Sequence, residues 1–314
     1  MLRRLFRDSG LETNGAFQPI VPSPQEYAYR CRLDMKFLKI KSGEMFMGFS
    51  PAKGFRVVEV EACPIAMKAV SDFLPQLRRQ AAEKMPKKYR NANLTVKTGD
   101  DGRVFWGGIG RRSLRMQPQD YLWTDIDGIR IFYSLDTFFQ ANFSILPALT
   151  AAIRGLGVFA PDRIFFDLYG GVGLFGIVFA RDVKQVFLIE ENIHAIRCAR
   201  YNRSYHRIGN MEILEGRMED VFSDLPVQAD GARSVALVDP PRAGLSESVC
   251  GMLNGPTSLQ TLVYLSCHPQ TLVRDLGILT EGGWRAERII PFDFFPKTRH
   301  VETLVLLQRK KPVL

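Results

Sequence analysis

Five short apolar runs, Ile164–Leu168, Gln185–Ile189, Glu212–Leu214, Ser234–Val238 and Leu262–Leu265, are spaced widely enough for a helix between neighbours, and this spacing constrains the fold most. Parallel strands need crossovers of this length, so the pattern predicts a doubly wound, Rossmann-like α/β sheet with helices on both faces. We assign residues 126–314 to that sheet domain. In such sheets ligands gather at the carboxyl ends of the strands, which directs attention to the residues that follow each run.

Residues 1–125 have a different texture. Met1–Arg7 reads as the tail of a helix, followed by loop punctuation at Pro19, Pro22 and Pro24. Tyr29–Ile40 and Met45–Val60 carry recurrent β-branched and aromatic residues around turns at Ser42-Gly43 and Lys53-Gly54, which suggests antiparallel strands. Met67, Val70, Phe73, Leu74 and Leu77 have helical spacing, so a helix is expected over about Ile65–Lys84. Strands near Leu94–Thr98 and Arg103–Trp106 would complete a smaller N-terminal α+β domain.

Lys and Arg outnumber Asp and Glu by 42 to 33, and much of the excess lies in the first 115 residues. Arg78-Arg79, Lys84–Arg90 and Arg111-Arg112 with Arg115 are suited either to a polyanion or to a solvated face. The apolar runs fall short of the ~18 residues of a membrane span, and the N-terminus lacks a hydrophobic signal core. A cytoplasmic location without membrane attachment is expected. The five cysteines are widely spaced and form no C-x-x-C, which argues against a disulfide framework or a zinc site.

Ile164–Gly173 reads as a strand, an acidic residue near its end, and a glycine-rich turn opening a helix. Gly171-Val172-Gly173-Leu174-Phe175-Gly176 formally fits the dinucleotide pattern, whereas a methyl-donor sheet would also use such a turn. Glu190, at the end of the next strand, is placed to accept hydrogen bonds from ribose hydroxyls in either case. The turn Asp239-Pro240-Pro241-Arg242 favours S-adenosyl-L-methionine, because it suits presentation of a planar base beside a methyl donor; a capping role is the plainer reading of Asp239. Cys267 follows the run Leu262–Leu265, where a thiol is either a nucleophile or a packed side chain.

Taken in order, Pro22-Ser23-Pro24 with Tyr29-Arg30, Glu61-Ala62-Cys63-Pro64, Phe138-Phe139-Gln140-Ala141-Asn142, Asp167-Leu168-Tyr169, Asp239-Pro240-Pro241-Arg242, Ser266-Cys267-His268-Pro269 and His300-Val301-Glu302-Thr303 cover nearly the whole chain. In these motifs it resembles the S-adenosylmethionine-dependent RNA uracil-C5 methyltransferases, especially the 23S ribosomal RNA branch. The resemblance implies a class I methyltransferase sheet, with Gln140, Tyr169, Glu190 and Asp239 contacting the cofactor. It also implies that Cys267 is the nucleophile and Glu302 the proton acceptor. Such a pair is needed because uracil C5 cannot attack a sulfonium methyl unaided; a thiolate adding at C6 makes it nucleophilic, and a base must then remove its proton. The target uridine would be extruded from its stack, with Phe292, Phe294 and Phe295 either bordering the pocket or packing the core.

The chain departs from the family at several positions. Gly170 stands where the family commonly has cysteine, and Cys31 where it has asparagine. Arg217 occupies a place where an acid often meets the adenine; Glu219 or Asp220 could substitute. The upstream RNA-binding barrel and three iron-sulfur cysteines of ribosomal relatives are absent, so a truncated or internally started chain is expected, with no cluster on Cys63 alone. The expected partner is RNA, 23S rRNA first and tRNA as the alternative, and the expected state is a monomer. Cytosine C5 methylation fits less well, since its cysteine usually follows the fourth strand, where Pro240-Pro241-Arg242 stands. A non-catalytic RNA-binding protein is the alternative of a different class.

Overall fold

The computed structural model describes residues 2–11, 13, 15–51, 57–110, 112–222, 234–255 and 259–309. The expected Lys53-Gly54 turn, together with Met1 and Arg111, lies outside the described residues. The chain opens with helix α1 (Leu2–Asp8) and divides into two compact units, one formed by Met1–Pro24 with Ile145–Leu314 and the other by Gln25–Ser144.

The smaller unit contains β1 (Arg32–Lys39), β2 (Met45–Phe49), β3 (Val58–Glu59), α2 (Lys68–Lys84), β4 (Asn91–Thr98) and β5 (Val104–Gly107), then a hairpin of β6 (Leu122–Ile126) and β7 (Ile129–Tyr133). Its main sheet is antiparallel in the order β3-β2-β1-β4-β5. Alternation along β1 buries Leu33, Met35 and Phe37, and α2 lays Val70, Leu74, Leu77 and Ala81 into the same core. Part of the basic excess is engaged internally: Arg78 pairs with Glu59, and the Lys84 ammonium sits 4.7 Å from the Trp106 ring centroid. Lys87, Lys88 and Arg90 are exposed.

The larger unit contains α3 (Leu146–Arg154), β8 (Ile164–Leu168), α4 (Leu174–Phe179), β9 (Gln185–Glu190), α5 (Ile193–Tyr205), β10 (Met211–Glu215), α6 (Met218–Val221), β11 (Ser234–Val238), α7 (Glu247–Asn254), β12 (Leu259–Ser266), α8 (Pro269–Glu281), β13 (Trp284–Phe292) and β14 (Glu302–Arg309). The five apolar runs are β8 to β12, and they pair in parallel. The sheet runs β10-β9-β8-β11-β12-β14-β13, with β14 antiparallel to both neighbours. This is the expected doubly wound fold. Strand order reverses between β8 and β11, and the carboxyl edge at that reversal is where such sheets hold ligands.

The observed division differs from the expected boundary at 125/126 at both ends of the chain. The β6–β7 hairpin belongs with the smaller unit because polar contacts tie it there: Tyr133 Oη donates to Thr98 O at 2.7 Å, and Thr124 Oγ1 to Asp100 at 2.7 Å. The first 24 residues belong with the larger unit, where Phe6 is buried and Phe17 and Val21 bridge Ile289 and Phe292 on the edge strand β13.

Candidate active site

The glycine turn after β8 is built on unusual backbone. Tyr169 takes φ +62°, Gly171 φ +56° and Gly173 φ +89°, so the chain turns sharply into α4. A Cβ at Gly171 would meet nothing within 4 Å, which leaves the outer face of the turn open. Beneath it, buried Asp167 accepts from Gly176 N–H through Oδ2 at 2.8 Å, while Oδ1 has no partner among the described residues. Burial pushes this carboxyl up to about 7, opposed by the Gly176 hydrogen bond and helped by the charges of Asp239 and Glu190. The Asp167 carboxyl therefore takes up the Gly176 N–H in the first turn of α4.

At the end of β9, Glu190 Oε2 accepts from Gly171 N–H at 2.9 Å and Oε1 from Asn192 N–H at 2.8 Å. Each oxygen retains an acceptor lone pair, so the half-buried carboxylate is oriented before any diol arrives. With the open glycine turn, this donor set fits a nucleoside cofactor. Asp239 follows β11, half-buried, and its charge acts on Asp167, Cys267 and Glu302 together.

Cys267 follows β12 and is half-buried, whereas the other four cysteines are buried. Its turn is held by Ser266, whose Oγ accepts from His268 N–H at 3.2 Å. Because β14 runs antiparallel to β12, its first residue, Glu302, comes back to the carboxyl edge beside Cys267. Glu302 is 4% exposed with Oε2 unpartnered among the described residues, and burial, then Asp239, raises its pKa well above the usual carboxylate value against the pull of Arg242. Burial likewise pushes the Cys267 thiol up to about 11, reinforced by Glu302 and Asp239 and opposed by Arg242. An isolated thiolate is therefore not the resting state.

Cys267, Glu302, Tyr169, Glu190 and Asp239 all belong to the larger unit and to its carboxyl edge. Gln140 belongs to the smaller unit, where it is buried and its backbone carbonyl accepts the Cys31 thiol at 3.5 Å. Phe292 and Phe294 are core residues, and only Phe295 is partly open, 6.0 Å from Phe294 and 6.2 Å from the His300 ring. Of the two acids near Arg217, Glu219 accepts from Ser246 Oγ at 2.9 Å and Asp220 is exposed. Two residues given no individual role from the sequence, Asp167 and Arg242, enter here: Asp167 as a buried carboxyl below the turn and Arg242 as a lesser charge opposing the acids around Cys267. The acid at a strand end before a glycine turn was the available signal for the first.

Among the described residues, no set of three or more His, Cys, Asp or Glu side chains could hold a metal ion, and no helix is long and apolar enough to cross a membrane. Residues 119–310, well over half of the chain, match the family model described as tRNA (Uracil-5-)-methyltransferase. An uncharacterized RNA methyltransferase of Clostridium tetani is 27% identical over 98% of this chain and 77% of its own length. The tRNA (uracil(54)-C(5))-methyltransferase of Schizosaccharomyces pombe is 27% identical over 94% of this chain and 57% of its own. A 23S rRNA (uracil(1939)-C(5))-methyltransferase of Haemophilus parainfluenzae is 25% identical over 90% of this chain and 70% of its own. Among solved structures, the Pyrococcus abyssi tRNA (uracil-54, C5)-methyltransferase in complex with S-adenosyl-L-homocysteine superposes with TM-score 0.72 at 24% identity, covering 97% of this chain and 81% of that one.

Proposed function

Because the chain belongs to the tRNA (uracil-5-)-methyltransferase family, we propose that it methylates C5 of a uridine in 23S ribosomal RNA through a covalent bond between Cys267 and uracil C6. It is an S-adenosyl-L-methionine-dependent RNA (uracil-C5) methyltransferase. The observation that carries the reading is the register of β12 and β14, which brings a half-buried thiol and a buried carboxyl to one ligand-bearing edge.

When bound, the cofactor supplies an electrophilic methyl group on a sulfonium. Glu190 would hold the ribose hydroxyls, and Tyr169 and Asp239 would be the further cofactor contacts on the same edge of the larger unit; Gln140 is assigned to the cofactor by its motif alone. The half-exposed Cys267 thiol would give its proton to solvent as its sulfur bonds to C6, breaking the C5–C6 double bond and delivering the electron pair to C5 as an enolate. C5 would then take the methyl group, the sulfur–methyl bonding pair staying with the departing thioether. Glu302 removes the C5 proton, the double bond re-forms, and the thiolate leaves. Burial raises the proton affinity of Glu302, so the carboxyl must first be ionised and then holds a proton taken from carbon firmly.

A stacked uridine must be extruded to reach this edge, and Phe295 is the aromatic side chain available to border it. Exposed Lys87, Lys88 and Arg90 supply phosphate contacts, which position RNA without reading its sequence. On this reading the protein works as a monomer in the cytoplasm. Transfer RNA is the second reading, favoured by the similarity to the S. pombe enzyme along 94% of the chain. The test is incubation with methyl-labelled cofactor and unmodified 23S rRNA or tRNA, followed by mapping of 5-methyluridine. Label in 23S rRNA alone supports the proposal; label in tRNA alone replaces its substrate, and label in neither refutes the activity.

A further inference from the structure

Helix α5 begins just after Glu190 at the carboxyl edge, and its 13 residues must return to the start of the parallel strand β10, so it ends about 20 Å away at the opposite rim. Its outer face carries arginine at helical spacing. Arg197, Arg200, Ser204 and Arg207 succeed one another by three or four residues, and all four are exposed. Where the helix ends, Arg200, Arg203, Ser204, Arg207, Ile208 and Gly209 line an open depression of about 400 Å³. Arg203 is fixed there through its Nε, which donates to Ile208 O at 3.3 Å, and Arg207 takes φ +52° as the chain turns toward β10. One residue further round the helix, Tyr201 and Tyr205 stack with ring centroids 6.4 Å apart and planes at 22°, and Tyr205 is 49% exposed.

Charge balance separates this cluster from an ordinary solvated helix face. Arg200 pairs with Glu215, whereas neither Arg203 nor Arg207 meets a carboxylate among the described residues. Attraction to the carbonyl end of the helix would account for basic residues in its last turn, but it needs neither a shared depression nor an exposed aromatic pair. Guanidinium groups around a concavity match phosphate oxygens, and an exposed ring beside them offers a stacking platform for a base. We propose that this end of α5 is a second RNA-contacting surface, in which Arg203 and Arg207 hold backbone phosphates remote from the modified uridine and Tyr205 stacks on an unpaired base. This rests on RNA being the substrate. Only an RNA long enough to reach both rims of the sheet can use the two sites together, so the surface favours a folded RNA over a short fragment.

The test is equilibrium binding of fluorescently labelled, unmodified tRNA and 23S rRNA transcripts to the full chain over a series of salt concentrations. Combining Arg203→Gln with Arg207→Gln should weaken binding of the preferred transcript about tenfold near 0.1 M salt and lower the slope of log affinity against log salt by about 1.5. Loss of Arg203 also removes its bond to Ile208, so Ser204→Glu serves as a second variant. That exposed hydroxyl gives up no hydrogen bond among the described residues, and a carboxylate in the depression should weaken binding by a similar factor. Both variants should keep a cooperative thermal melt. Ultraviolet crosslinking of bound RNA, read by peptide mass spectrometry, should place a nucleotide adduct on Tyr205. Affinity and salt slope unchanged in both variants overturn the proposal, as do adducts confined to peptides outside residues 197–210. Binding is read without methyl transfer, so absence of methylation by the unaltered protein would strike the proposed function and leave this readout intact.

Discussion

Ser266 and Thr303 form the last paired rung between β12 and β14, so Cys267, one residue after the first, and Glu302, one before the second, stand opposite each other at the edge of the sheet. Antiparallel return of the final strand achieves this, although the two residues are distant in the chain. Cys267→Ala should abolish methyl transfer, by at least about a thousandfold, while Tm moves little, because the side chain is only half-buried. Single-turnover transfer of labelled methyl together with calorimetry checks both halves.

Glu302→Gln separates chemistry from stability. Addition and methyl transfer precede proton removal, so the variant should accumulate a covalent RNA adduct, visible as a slow band on a denaturing gel, that unaltered protein does not accumulate. Its absence would remove Glu302 from the proton-accepting role.

The same residue gives a pH prediction. Glu302 has a folded-state pKa raised above its unfolded value of 4.5, so the unfolded chain gives up this proton first as pH rises. The carboxyl thus costs stability that develops above about pH 4.5 and persists at neutrality. Glu302→Gln should melt higher than the unaltered protein at pH 8, and the gap should close as pH falls toward 4.5. Asp167, raised from 3.8 to about 7, adds a cost of the same sign across that window.

Cofactor charge should govern the thiol. With Cys267 pushed up to about 11 by burial and two acids, alkylation of the ligand-free protein should keep rising with pH beyond 9. A cationic cofactor analogue bound among these acids should lower the midpoint, and neutral S-adenosylhomocysteine should leave it near its ligand-free value. Equal midpoints with the two ligands would count against electrostatic activation of the thiol by the donor.

Gly170 and Leu188 are matched in size. A Cβ on Gly170 would lie 2.4 Å from Leu188 Cγ, so Gly170→Ala should destabilise by about 1–3 kcal/mol through overpacking. Leu188 is 0% exposed, and Leu188→Ala should cost about 2–5 kcal/mol through a cavity. The double variant should cost less than the two single changes combined, as denaturant titration would measure.

Much of this architecture was legible in the sequence because the physics that forms it is local. Apolar runs bounded by turns located β8 to β12 within a residue or two at most ends, and the helical spacing of Val70, Leu74 and Leu77 located α2. The helix starts at Lys68 rather than Ile65 because Ala66 N–H is already committed to a turn with Cys63 O. β13 and β14 extend the larger sheet beyond those five runs. β13 carries Arg285, Glu287, Arg288 and Pro291 as befits an outer strand, and its alternation breaks at a register shift between Ala286 and Arg288. The β6–β7 hairpin had a signal that went unused: Asp127-Gly128, both at positive φ, is a favoured two-residue turn.

The places of Tyr169, Glu190, Asp239 and Cys267 at the carboxyl ends of β8, β9, β11 and β12 were readable for the same reason, whereas Glu302 begins β14 and Gln140 lies outside any strand. The depression at the end of α5 was not legible, because Arg200, Arg203 and Arg207 look like an ordinary solvated helix face until the loop that closes it is seen in space. Burial of Phe292 and Phe294 was equally illegible, because an aromatic run is compatible with core and with pocket alike.

The direction of β14 also has a practical consequence. Its eight residues climb about 27 Å away from Glu302, at roughly 3.4 Å each, and leave the sheet by the rim opposite the proposed chemistry. A small reporter group placed at the Arg309 end of β14 would therefore sit about one strand length from Cys267 and Glu302, and alkylation of the thiol should be unchanged by it.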